Sequence, residues 1–318
     1  VQSPSAQGQG LDASFRSLES VFDGRRLAPG SGNSVVPADR ARAIVGRMRS
    51  RLHGQLDAML RAEPEDLPLI EQVRTEGDAL LSEIDRLMRS GEVDPRARLR
   101  LGPDSPRVRP QKRPLRVGVY PVAADPFQWA HLLIGLRAIA AFRLDKVVFV
   151  LAGDDPRKPN MTKADFRHPM GRAVLDAFAP FFEYSPIALG TDYDGETNIF
   201  RLMALNPDQA MKAFYLVGGD HYRRQDKNGN PDTLGKIEAK LAAPGGRDHG
   251  LHDVEVAFIA RDGMDEHVPT TLQVHFLPTI PFNASSTLVR GGRHALMPYA
   301  AYEYVLRHRP GLYGIGEK

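Results

Sequence analysis

The sequence predicts an α/β protein with a doubly wound parallel sheet, preceded by a hairpin of two amphipathic helices. Three observations carry that expectation. After about residue 116, short apolar runs without a polar break alternate with helix-length segments, the pattern of strands covered on both faces. Before that point apolar residues recur at three- and four-residue steps. The composition is that of an ordinary globular chain, with 42% hydrophobic and 25% charged residues among 318.

Taken in order, residues 1–36 are rich in Ser, Gly and Gln, cannot offset the entropy of ordering, and are expected to be mobile. Residues 37–92 form the helical hairpin. Ile44, Val45, Met48, Leu52, Leu56, Met59 and Leu60 share one face of a helix opened by Pro37 and Asp39, and Pro64 and Pro68 interrupt it. Ile70, Val73, Leu80, Leu81, Ile84, Leu87 and Met88 repeat the spacing until Gly91. Such a stripe is core, or the seam of a homo-oligomer. Residues 93–115 read as a basic, Pro-rich linker. It leads from Arg96, Arg98 and Arg100 through Arg107, Arg109, Lys112 and Arg113 to Arg116, against Asp104 alone, and its prolines keep it extended. No aromatic residue interleaves with these cations to stack on bases, so a solvated linker is expected and nucleic acid is not an expected partner.

Residues 116–318 make the α/β domain. Strands are expected at Val117–Tyr120, Lys146–Leu151, Ala213–Val217, Val254–Ala260 and Leu272–Leu277, and helices at Trp129–Phe142, Arg167–Ala179 and Ile199–Leu205. In such sheets ligands sit beyond the carboxyl ends of the strands, where strand order reverses. The chain has 0 Cys, so disulfides, thiol nucleophiles and Cys-ligated zinc are excluded. It shows no apolar run long enough to span a bilayer and no charged-then-apolar leader, and a cytoplasmic protein is the expectation.

Two segments carry chemistry. The first strand runs from Gly118 through Tyr120 and a loop of small residues to Gln128, Trp129, Ala130 and His131, where a helix begins. Unpaired backbone N–H groups and the helix dipole suit that entrance to phosphate, and His131 lies where it can donate to a phosphate oxygen or offset charge on a transferring phosphoryl group. A plain capping histidine is the competing reading. Near the other end, Ser285, Ser286 and Thr287 precede Arg290 by one turn, so hydroxyls and a guanidinium converge at a second helix start. An N-cap followed by a solvated Arg is the competing reading there.

Taken together, the two segments resemble the signatures of the nucleotidylyltransferases, G-x-F-x-P-x-H-x-G-H after the first strand and I-S-S-T-x-I-R near the end, and most closely those of the nicotinate/nicotinamide mononucleotide adenylyltransferases. The resemblance covers about residues 116–315. Further matches follow in order: Lys158-Pro159-Asn160, Gly218-Gly219-Asp220, Val254 to Arg261, and a tail from Tyr302 to Tyr313. It implies a Rossmann-like nucleotidylyltransferase fold and an enzyme that moves the adenylyl group of ATP, with Mg²⁺, onto a small phosphate monoester, releasing pyrophosphate. It implies that His131 contacts the ATP phosphates, that Ser285, Ser286, Thr287 and Arg290 cradle the triphosphate, and that Asp220, after Gly218, accepts from a ribose hydroxyl. Lys158 would neutralise phosphate. The implied catalytic set is His131, Lys158 and Arg290, and the nucleotide-binding set adds Gly118, Tyr120, Gln128, Gly218, Asp220 and the three hydroxyl residues; no protein-held metal is expected.

The sequence also departs from the pattern. Gln128 replaces the first His of H-x-G-H and Ala130 its Gly, so a chargeable donor and a site of close backbone approach are lost. Glu196 and Arg201 replace hydroxyls in the segment that helps grip the mononucleotide, and Trp129 is the one Trp of the chain, so the expected stacking Trp after Asp220 is missing and Tyr222 is a weak substitute. The expected partners are small molecules. The alternatives are the same fold with cytidylyltransferase-type substrates, and a catalytically weak nucleotide-binding module assembled through the hairpin. Asp154-Asp155 reads as a turn, His249, His252 and Asp253 as loop residues rather than metal ligands, Tyr222–Asp232 as an exposed loop, and Arg293 and His294 as surface beside the anion site.

Overall fold

The three- and four-residue spacing of the N-terminal apolar residues produces helices α1 (Ala38–Ala62) and α2 (Leu67–Arg89) in the computed structural model, which describes residues 36–191, 194–243, 252–260 and 268–316. The stretch expected to be mobile lies outside the described residues as far as position 35. Pro64 opens a single turn of 3₁₀-helix, and Pro68 stands in the first turn of α2, where a missing N–H breaks no helical bond. The stripe is core: Ile44, Val45, Met48, Leu52, Leu56 and Met59 are buried, as are Ile70, Val73, Leu81, Ile84 and Leu87. Gly77 lets the helices approach, because a Cβ there would stand 2.4 Å from Leu52 Cδ2. The apolar face offered above as core or oligomer seam is therefore covered within the chain.

Among the described residues the sheet has six strands, β1 (Leu115–Val122), β2 (Lys146–Leu151), β3 (Phe182–Ser185), β4 (Met211–Gly218), β5 (His252–Ile259) and β6 (Val274–Leu277), in the order β3-β2-β1-β4-β5-β6. All neighbours are parallel, with Val119 of β1 facing Val148 on one side and Tyr215 on the other. Strand β3 was not anticipated. It is a four-residue edge strand whose Glu183 interrupts the apolar run and holds Lys146 Nζ at 2.6 Å. The remaining helices are α3 (Trp129–Phe142), α4 (Ala164–Asp176), α5 (Gly195–Leu205), α6 (Asp232–Ala242), α7 (Ser286–Arg290) and α8 (Tyr299–His308). Sequence reading missed α6 and α8.

Each face of the sheet has its own core. Val117 and Val119 of β1 pack with Ile199, Leu202, Leu234 and Ile237 of α5 and α6, while Tyr120 and Val122 pack on the side of α3 and the hairpin. Alternate side chains thus enter opposite apolar layers, which is why the strands show no polar break. Helix α3 is apolar nearly all round for a similar reason. It lies between the sheet and the hairpin, and Arg137 on its rim reaches Glu76 of α2 and the carbonyl of Pro278.

The basic segment is extended, and it is tied to the sheet at several points. Buried Asp145 accepts from the backbone N–H groups of Asp94 (2.8 Å) and Arg116 (3.0 Å) and from the Arg113 guanidinium. Asn206 brackets Arg100 through both its N–H and its carbonyl, and Leu99 is buried in the second core.

Candidate active site

Chain order places β1 and β4 side by side at the centre of the sheet although β2 and β3 lie between them in sequence, so their carboxyl ends mark the switch point. A cavity of about 490 Å³ opens there, with Val122 from β1, Val150 from β2 and Val217 and Gly218 from β4 on its floor. A second cavity of about 550 Å³, lined by Asp125, Asn160, Ser286 and Arg290, shares Ala123, Arg157 and Lys158 with the first. The two form one cleft with Lys158 on the wall between them.

The two signature segments meet at this cleft, although more than 150 residues separate them. Gln128 is the N-cap of α3, and its Nε2 donates to Ser286 Oγ at 3.1 Å. Arg290 Nη2 donates to the carbonyl oxygen of Asp125 and to its Oδ2, both at 2.9 Å. Ser285 caps α7 by accepting from the Leu288 N–H at 3.2 Å. The substitution of Gln128 for histidine has therefore made a neutral bridge between the loops.

His131 is held as the N-terminal reading required, in the first turn of α3. The Gln128 N–H donates to its Nδ1 at 3.1 Å, so the proton of the neutral ring sits on Nε2. The ring lies edge-on to Phe127, with centroids 5.1 Å apart, and burial lowers its pKa to about 4. It is thus a neutral donor at pH 7, and the charge expected of it is absent in the free protein.

Asp125, which the sequence reading passed over, organises the cleft. It is 5% exposed and accepts from Tyr313 Oη at 2.5 Å, from the Thr162 N–H at 3.2 Å and from Arg290. Burial pushes its pKa up, but the hydrogen bonds from Tyr313 and Thr162, with the Arg290 charge, outweigh it and leave the pKa below the usual value. The same contact, after burial, raises the pKa of Tyr313. Ala124 before it adopts φ 50°, a left-handed conformation that a side chain enters at a cost of about 1 kcal/mol.

Buried Arg167 fixes the two loops from beneath. It donates to the carbonyl oxygens of Ala123 and Thr162 and, at 2.9 Å each, of Ala152 and Gly153.

The other expected site residues are dispersed. Gly118 lies within β1, where an added Cβ would meet Leu144 Cδ1 at 2.9 Å, and Tyr120 packs against Phe149 behind the cleft. Neither lines the cavities. Thr287 is exposed on α7, outside both. Gly218 and Asp220 line the switch-point cavity together with Lys158. Asp155 closes a turn, accepting from the Arg157 N–H on its side chain and from the Lys158 N–H on its carbonyl, whereas Asp154 Oδ1 accepts from the Ala164 N–H ten residues on. His294 is buried rather than at the surface, between Glu63 and the carbonyl of Tyr313, and Arg293 pairs with Asp66. His249 lies outside the described residues, and His252 meets the carbonyl of Asn206 at 3.2 Å. Among the described residues no group of three His, Asp or Glu is arranged to hold a metal, and no helix is long and apolar enough to cross a membrane.

No family model matches the chain. Known proteins do. A Shouchella clausii protein named "Probable nicotinate-nucleotide adenylyltransferase" is 29% identical over 179 residues, 55% of this chain and 82% of its own length. One of the same name from Synechococcus is 27% identical over 63% of this chain and 95% of its own. The chain is a relative of the nicotinate-nucleotide adenylyltransferases. Another such protein, from Moorella thermoacetica, is 37% identical over 113 residues, about half (51%) of its length. The solved Plasmodium falciparum nicotinic acid mononucleotide adenylyltransferase complexed with APC aligns with 64% of the chain at a TM-score of 0.39 and 12% identity, too slight a likeness to bear on function.

In this adenylyltransferase relative the half-buried imidazole of His131 makes a testable contribution to stability. The folded pKa of His131 is depressed from 6.5 to about 4, so between those values the unfolded chain binds the proton and the folded chain does not. Its contribution is full above pH 6.5 and is lost as pH falls towards 4. The expected cost is about 1–3 kcal/mol across that window. Urea titrations at pH 7.5 and 5 should show a smaller drop for His131→Asn than for the parent chain.

Proposed function

We propose that this chain transfers the adenylyl group of ATP to a pyridine mononucleotide and releases pyrophosphate. The observation that carries the reading is the joining of the two distant signature segments, Gln128 to Ser286 and Asp125 to Arg290, at the second cavity of the cleft. That arrangement supports a triphosphate at the α3 and α7 entrances with the acceptor beyond it in the switch-point cavity. An oxygen of the mononucleotide phosphate attacks the α-phosphorus in line. The bridging P–O bond to the β-phosphate breaks, and its electron pair leaves with pyrophosphate.

No covalent intermediate or paired acid and base is needed, so catalysis is positioning and neutralisation. His131 donates a hydrogen bond from Nε2. Lys158 and the guanidinium nitrogens of Arg290 not engaged by Asp125 meet phosphate charge. Ser286 lines the second cavity while Ser285 caps α7 behind it, and Asp220 accepts from a ribose hydroxyl. Mg²⁺ would arrive with the triphosphate, held mainly by its oxygens, and would neutralise charge on the departing pyrophosphate.

The test is pyrophosphate release with a panel of nucleoside triphosphates and phosphate monoesters. Turnover with ATP and a pyridine mononucleotide is expected. Preference for CTP would move the assignment to a cytidylyltransferase, and tight ATP binding without turnover on any pair would leave a nucleotide-binding module. Gln128→Ala should raise the KM for ATP about three- to tenfold, the worth of one neutral hydrogen bond, with little change in the mononucleotide KM.

A further inference from the structure

The cations of the basic segment before β1 fall into two sets. Arg96 pairs with Asp94 at 2.7 Å, Arg113 donates to Asp145 at 3.0 Å, and Arg116 Nε donates to the Phe142 carbonyl at 2.9 Å. Arg98, Arg107 and Arg109 are exposed and make no side-chain hydrogen bond or ion pair among the described residues. Together with Arg100 they line a cavity of about 210 Å³, in which Asp208 is the one acidic residue among those described. This cavity shares no lining residue with the cleft. It lies at the other end of the sheet. The first turn of α5 borders the switch-point cavity through Gly195 and Glu196, whereas Leu205, the last residue of that helix, borders this one, and Gln209 leads from it into β4.

The backbone that carries these arginines is fixed on both sides. Buried Asn206 accepts from the Arg100 N–H at 2.8 Å and donates to the Arg100 carbonyl at 3.0 Å; buried Gln209 accepts from the Gln111 N–H at 2.6 Å and donates to the Arg113 carbonyl at 3.3 Å. Between those clamps Arg100 donates through Nε to the Ser105 carbonyl and through Nη2 to that of Pro103, and Pro103, Pro106 and Pro110 limit the remaining freedom. Like charges held around one concavity repel, and an anion that enters relieves the repulsion. The guanidinium groups offer more N–H donors than the oxygens of one phosphate group can accept, and their forks match phosphate oxygens in pairs. No aromatic side chain lines the cavity, so the stacking platform of a nucleic-acid groove is missing. We propose that this cavity is a second anion site, separate from the cleft, for a small ligand that carries a diphosphate group. The proposal stands whether or not the cleft performs adenylyl transfer.

The experiment is calorimetric titration of the full chain with inorganic pyrophosphate at constant ionic strength and without Mg²⁺, with ADP, inorganic phosphate and a short single-stranded oligonucleotide as comparisons. A pyrophosphate site is expected that Arg290→Ala leaves unchanged and that each of Arg107→Gln and Arg109→Gln weakens about tenfold, the worth of a charged hydrogen-bonded contact. Both side chains are exposed, so the variants should fold. Asp208→Asn removes the opposing charge and should tighten the site about threefold, a gain that misfolding cannot produce. Pyrophosphate should bind about tenfold tighter than inorganic phosphate. A second site for pyrophosphate alone assigns the free anion, and one for ADP as well assigns the diphosphate of a nucleotide; either result upholds the proposal. No pyrophosphate binding, or binding that Arg290→Ala abolishes and the Arg107 and Arg109 variants leave intact, overturns it. So does inorganic phosphate binding equally tightly, or an Asp208→Asn variant that binds no better than the parent chain. Tighter binding of the oligonucleotide than of pyrophosphate through the same arginines would make this face a nucleic-acid surface and overturn the proposal.

Discussion

Arg290→Ala is expected to lower kcat/KM for adenylyl transfer by about 10²–10³, the usual loss when a preorganised charged donor is removed from a transferring group. The site has few cations to spare. His131 is neutral at pH 7, since burial brings its pKa to about 4. Arg157 is paired with Asp155 at 2.9 Å, so Lys158 and Arg290 are the principal positive groups at the second cavity. Arg290 also holds Asp125, and removing it withdraws one of the groups that keep that buried carboxylate ionised. Two controls separate the roles. Arg290→Lys keeps the charge and should recover part of the rate, with a loss remaining because an ammonium cannot hold Asp125 and phosphate as a planar fork does. Chemical denaturation reports the structural share. If Arg290→Ala lowers stability and leaves the kcat/KM of the folded fraction unchanged, the guanidinium serves Asp125 alone.

How much of this was legible depended on whether the signal was local. The hairpin was, because the spacing from Ile44 to Met59 already fixes one buried face. So were β2 and α3, whose observed limits, Lys146–Leu151 and Trp129–Phe142, match those read from the apolar runs. β3 was not, since four residues with Glu183 among them carry too little apolar pattern to mark an edge strand. Helix α6 was hidden by the Asn-Gly-Asn-Pro run that precedes it. At the site, the convergence of residues 118–131 with 283–290 was anticipated, but its organiser was not. Asp125 gains its role from Thr162, Arg290 and Tyr313, each far away in sequence, and no spacing rule connects them. The nearest clue was the tail ending at Tyr313. Gln128 shows the converse error: as a letter it reads as a lost histidine, whereas in three dimensions it caps α3 and bridges to Ser286.

Arg167 should give the largest loss of stability of any single site near the cleft. Its guanidinium is fully buried and donates to carbonyl oxygens of Ala123, Ala152, Gly153 and Thr162, so it ties the loops that follow β1 and β2. Burial lowers its pKa, and the nearby charges of Asp125 and Asp154 act in the opposite direction. Arg167→Met keeps most of the side-chain volume but leaves these carbonyls without their donor, and a loss of about 3–5 kcal/mol is expected, as for other broken buried charged networks. Arg167→Lys should lose less, since an ammonium can satisfy some of the oxygens but cannot span all of them. Urea denaturation of the purified variants measures both. A loss of less than about 1 kcal/mol in Arg167→Met would mean that water replaces the guanidinium at little cost. The loops would then owe their positions to Asp125 and the packing around Phe127, and in that case the ATP KM, which otherwise should rise with the loss of stability, would stay near that of the parent chain.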